Sequence, residues 1–102
     1  MDMAKITVEV WSSLSHLFGE ERPRRRILQV DVEDGIPLER LLGRLAEEYP
    51  AFAEFMYKPD TAEPNGRVSV IVNGRLPELL DGYKTQLCDN DRIVLVQAYE
   101  GG

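Results

Sequence analysis

The chain reads as an α+β domain in which one main helix covers one face of a mixed sheet of four to five strands. Three observations predict this. Lys5 to Trp11 and Arg26 to Val32 alternate apolar and polar residues, as half-buried strands do. Leu38 to Tyr49 keeps the three- and four-residue spacing of a single apolar helix face. Val68 to Val72 and Arg92 to Gln97 are short apolar runs beside turn residues. One helix on one sheet face makes a two-layer domain. The 102 residues suit a single domain, 1–102, with 97–102 as an extended C-terminal tail.

The elements follow in order. In the first strand Ile6, Val8 and Val10 share one face, and Lys5, Thr7 and Glu9 share the other. Trp11, Leu14 and Phe18 then fall three and four apart, with Leu17 beside them, which predicts a short helical turn. Gly19 to Pro23 is a turn by its glycine and proline. Leu28, Val30 and Val32 give the second strand its apolar face, and the two strands form an expected antiparallel pair. Asp34 or Gly35 opens the main helix, with Pro37 in its first turn, where a missing N–H is no loss. Leu38, Leu41, Leu42, Leu45, Ala46 and Tyr49 form its stripe, and Pro50 ends the periodic run.

Phe52, Phe55 and Met56 predict one further helical turn in Ala51 to Tyr57. Lys58 to Arg67 is a loop by its prolines and its Asn-Gly pair. Asn73-Gly74 is a tight-turn signal after the third strand. Leu76, Leu79, Leu80 and Tyr83 belong to a mixed segment, and Asp89-Asn90-Asp91 makes the turn into the closing strand. If the first and last strands are neighbours in the sheet centre, the carboxyl end leaves from a rigid platform.

Composition excludes several function classes. No run approaches the roughly 18 apolar residues that span a bilayer. Met1 to Lys5 leads straight into a strand, so no signal peptide is expected. Cys88 is the only cysteine, which excludes an intrachain disulfide and fits a reducing cytoplasm. Twelve basic and eighteen acidic residues give a net charge of −6, which argues against nucleic acid and anionic membranes as partners. It favours a partner with a basic docking face.

No side chain offers a catalytic centre. His16 has no acid or cysteine at a catalytic or ligand spacing and reads as a surface residue. Cys88 lies beside an acidic turn, which would raise a thiol pKa, so it reads as structural. Ser12, Ser13 and Ser15 lack the strand–turn–helix setting of a nucleophile. Arg22 and Arg24 to Arg26 read as a solvated hairpin loop, partly neutralised by Glu20 and Glu21. Asp31, Glu33 and Asp34 form no calcium-loop pattern, and no glycine pattern resembles a nucleotide loop. No metal or bound cofactor is expected. What remains is the terminal carboxylate after Gly101-Gly102, on an arm where glycine leaves the backbone free and the carbonyl uncrowded.

Three stretches, in this order, carry a resemblance. They are Val68 to Gly74, with its Val-Asn-Gly turn; Leu87 to Ile93, with its Asp-x-Asp turn; and Gly101-Gly102. Together they resemble the sulfur-carrier proteins of the ubiquitin-like β-grasp fold, above all the small subunit of molybdopterin synthase and its relatives. Asn90 stands where that family usually has Gly, and Gln97-Ala98-Tyr99-Glu100 replaces a proline-rich approach to the glycines.

The resemblance implies a carrier rather than an enzyme. An E1-like adenylating enzyme would use ATP to activate the Gly102 carboxylate. A sulfur donor would displace AMP and leave a thiocarboxylate, on an arm made flexible by Gly101. Tyr99 and Glu100 would take part in partner choice. A sulfur-accepting partner, such as a molybdopterin synthase large subunit, would receive the sulfur. Carriers serving amino-acid, thiamine or tRNA thiolation, protein modifiers and binding modules with an inert tail remain alternatives.

Overall fold

The computed structural model describes residues 2–77 and 80–98. Four strands form one sheet: β1 (Met3–Val10), β2 (Arg26–Glu33), β3 (Val68–Val72) and β4 (Arg92–Gln97), in the order β2-β1-β4-β3. β1 pairs antiparallel with β2 and parallel with β4, and β3 pairs antiparallel with β4. The sheet is therefore mixed, and the first and last strands hold its centre. Leu79 of the mixed segment lies outside the described residues.

Pleating explains the two faces. Ile6, Val8 and Val10 of β1, Val32 of β2, Val68, Val70 and Val72 of β3, and Ile93 and Leu95 of β4 all point into one buried core. Leu38, Leu41, Leu42 and Leu45 of helix α1 (Leu38–Glu48) close that core from above. A second helix, α2 (Pro50–Met56), adds Phe52 and Met56. A 3-10 segment, Ser12–Phe18, contributes Leu14, Leu17 and Phe18, and the Phe18 ring lies 4.8 Å from Tyr49 and 5.0 Å from Phe52.

Three boundaries differ from expectation, each for a physical reason. Helix α1 starts at Leu38 rather than at Asp34 or Gly35. Gly35 has φ +87°, and its N–H donates to Leu87 O at 2.8 Å, so this stretch is a turn pinned to residues 85–87. Pro37 sits just outside the helix as its cap. Pro50 does not simply end the helical run; it occupies the first position of α2, where its missing N–H costs no bond. The 3-10 segment starts at Ser12 rather than at Trp11, which caps it from the opposite sheet face and is 48% exposed.

The end of the sheet opposite the β4 terminus is held by two interlocked turns. Asn73 and Gly74 both have positive φ, 50° and 81°, which is the mirror-image turn favoured in two-residue hairpins. Val72 and Arg75 close it with N–H···O bonds in both directions. The Asn73 side chain then donates to Asp91 Oδ1 at 2.9 Å and accepts from the Arg92 N–H at 2.8 Å. Asp91 Oδ2 accepts from the Cys88 N–H at 2.7 Å. Asn90, at φ +71°, donates its N–H to Lys5 O, and the Lys5 N–H donates to Asp89 Oδ1. The two turns thus tie β1, β3 and β4 together.

Candidate functional site

The other end of the sheet is where the chain leaves it. Gln97 is the last residue of β4 and pairs with Val68. Ala98 is still anchored, its N–H donating to Arg67 O at 2.8 Å. Sheet-held chain therefore extends into the stretch 97–102 that the sequence reads as tail, because Arg67 lies one residue ahead of β3 and continues its ladder. The Arg67 guanidinium sits 5.6 Å from the centre of the Phe55 ring on α2. Trp11 N–H donates to Leu95 O at 3.1 Å, so the chain after β1 braces β4 from its other side. Tyr99, Glu100, Gly101 and Gly102 lie outside the described residues.

The open sheet face beside this root carries one polar cluster. Glu9 lies between Ile27 on β2 and Val94 on β4, and Val94 lies beside Ile71 on β3. Although it sits on the uncovered face, Glu9 is only 7% exposed. Arg92 Nη2 donates to its Oε1, Trp11 Nε1 donates to its Oε2 at 3.1 Å, and Arg25 Nε stands 3.8 Å from Oε2. The hydrogen bond from Arg92 holds the Glu9 carboxyl below its usual range, with Trp11 and the charges of Arg25 and Arg92 adding to it and desolvation opposing it. A pleat argument makes Glu9 a solvated polar residue; only the register of β4, which brings Arg92 against it from 83 positions away, reveals otherwise.

Exposed near Trp11 and Ile27 are Arg25 and Arg92, both paired with the buried Glu9 carboxylate. The whole-chain charge of −6 is thus not evenly spread, since here two guanidinium groups meet Glu9.

The remaining candidates fall into place as local structure. His16 is exposed. Ser15 is buried, and its hydroxyl donates to Ser12 O and accepts from the Arg24 N–H, which makes it a turn fastener. Arg24 and Arg26 both reach Glu20, at 3.2 and 3.4 Å, and Arg26 also donates to Phe18 O. The arginine run is thus largely engaged at home. Cys88 is exposed rather than packed, and its backbone N–H serves the turn. Among the described residues no group of three or more histidine, cysteine or acidic residues is placed to hold a metal ion, and no helix is long and apolar enough to cross a membrane.

Comparison with known proteins gives three findings. The model of the ThiS family matches residues 16–102. Comparison with curated proteins returns no match. Among solved structures, the chain is similar to small archaeal modifier protein 1 (SAMP1) from Methanosarcina acetivorans, at 25% identity, covering 100% of each chain, with a TM-score of 0.74. It is similar to Urm1 from Trypanosoma brucei at 21% identity, covering 100% of this chain and 99% of the other, with a TM-score of 0.69. It is also similar to CysO from Mycobacterium tuberculosis at 20% identity, covering 92% and 99%, with a TM-score of 0.67. The sheet order and the single helical layer are those of the ubiquitin-like β-grasp fold.

Proposed function

The chain belongs to the ThiS family, and from that premise we propose that it is a sulfur carrier whose working group is the carboxylate of Gly102. Members of this family are small carriers rather than enzymes. The observation that carries the reading is that the family match runs through residue 102, so both glycines fall inside it. An E1-like adenylating enzyme forms an acyl-adenylate at Gly102 with ATP, which converts a poor electrophile into one with a good leaving group. The sulfur donor then displaces AMP and leaves a thiocarboxylate. That sulfur goes to an acceptor in molybdopterin biosynthesis, with a molybdopterin synthase large subunit as receiving partner.

The geometry of the root supports this division of labour. Ala98 is tied to Arg67, so four residues lie beyond the last described anchor. Fully extended they reach at most about 14 Å. The partner's active site must therefore lie within that distance of its contact with the sheet end. Trp11, Ile27, Arg25 and Arg92 are the exposed groups available for that contact, with Tyr99 and Glu100 beyond them.

The test is intact-mass measurement after incubation with ATP, an adenylating enzyme and a sulfur source, expecting a gain of about 16 Da at Gly102 from exchange of oxygen for sulfur. An unchanged mass with every cognate partner overturns the reading. The full-length match at 25% identity to an archaeal modifier favours a second one, in which Gly102 is joined to lysines of other proteins. Isopeptide-linked conjugates in lysate, found by peptide sequencing, separate the two.

A further inference from the structure

On the helix side of the domain, away from the open sheet face, a cleft of about 580 Å³ lies between α1, α2 and the loop 58–67. Its floor exists because bulk is missing at three facing positions. Gly43 and Ala46 of α1 lie on one helix face, and Ala53 of α2 faces the same space. Nothing in the packing demands glycine at 43. Its φ is not in the left-handed region, and an added Cβ would meet no atom within 4 Å. Glycine is among the weakest helix formers, so its presence here leaves room without serving the backbone.

Tyr57 and Tyr83 line the cleft, and burial, with the nearby Tyr83 phenol adding to it, pushes the Tyr57 pKa up. The Tyr57 phenol therefore stays neutral across the physiological range. Among the described residues the charged lining side chains are both carboxylates, Glu39 and Glu63. Glu63 is paired with Lys58 at 3.4 Å. The Glu39 side chain, on the same helix face as Gly43, makes no ion pair or hydrogen bond among the described residues. An apolar hollow with a few convergent polar groups is the general form of a small-molecule site. Two aromatic rings and a carboxylate in one lining suit a cation carried on an apolar body.

We propose that this cleft binds a small organic ammonium compound, with its apolar body on the Gly43–Ala46–Ala53 floor and its ammonium group at Glu39. The site is separate from the tail and from the Glu9 cluster, so it stands or falls apart from the sulfur-carrier reading.

The experiment titrates isotope-labelled full-length protein with phenethylammonium and, in parallel, with its neutral isostere 2-phenylethanol, following amide shifts by NMR. The expected result is saturable shifts at Gly43, Ala46 and Ala53, with the alcohol binding about fivefold more weakly. Glu39→Gln should bring the ammonium down to the affinity of the alcohol. Gly43→Leu should remove both while the protein stays folded, since the new side chain enters open space. Absence of saturable shifts with either probe overturns the proposal. Equal affinity for the two probes, or undiminished ammonium binding in either variant, overturns it equally.

Discussion

The two ends of the sheet are both held by polar clusters, and the clusters are built differently. At the base, Asn73 and Asp91 bond each other and the backbone N–H groups of Arg92 and Cys88. At the tail end, Glu9 is held by side chains alone, those of Trp11, Arg25 and Arg92. The base fixes chain paths. The tail end fixes the orientation of an indole and two guanidinium groups on residues that are exposed. A domain that presents its terminus needs both: a base that does not slip and an upper face whose groups can be met from outside.

The comparison can be broken most forcefully at the terminus itself. Adding one residue after Gly102 should abolish the mass gain and leave thermal stability unchanged. Retained thiolation in that extended protein would contradict a free-carboxylate mechanism. Next comes the base. Asn73→Ala removes two side-chain hydrogen bonds and places alanine at φ +50°, and should cost about 2 kcal/mol in urea unfolding while sparing sulfur loading. A loss of loading at full folding would show that the base does more than hold the strands.

Glu9→Gln should lower stability less than Asn73→Ala and weaken capture by the adenylating enzyme more. Its pH dependence has a definite sign. The native pKa of Glu9 lies below its ordinary value of 4.5, so its stabilisation is present above that value and is lost as pH falls through the native pKa. The gap in melting temperature between the parent and the glutamine variant should be widest near neutrality and close in acid. A gap that widens in acid would reverse the assignment. The smallest effect belongs to Asn90→Gly, which relieves a left-handed backbone at φ +71° but frees the unfolded chain; stability should stay within about 1 kcal/mol.

The difference between the ends also explains what could be read in advance. The base was legible because its chemistry is local: Asn-Gly and Asp-Asn-Asp declare turns whatever surrounds them. The same holds for the leucine stripe of α1 and the alternation of β1 and β2, whose periods arise from backbone geometry. The start of α1 was misplaced because the backbone bonds that bind Gly35 and Leu38 to residues 85–87 are long-range. Trp11 was counted in the helical turn because the three- and four-residue spacing continues back to it, although the pleat of β1 leaves it as the exposed cap of that turn. The tail residues Tyr99 to Gly102 are legible only as sequence, and their roles rest on the family match.

By itself the sequence determined the alternating strands, the one apolar helix face, the tight turns and the terminal glycines, because each is a property of neighbouring residues and the backbone they share. Tertiary structure alone decided that β1 and β4 are parallel central neighbours, that Glu9 meets Arg92, and that Gly43, Ala46 and Ala53 open on one cleft. These are contacts between parts of the chain that only the closed fold brings together. Their partners, charges and burial have no trace in any local pattern.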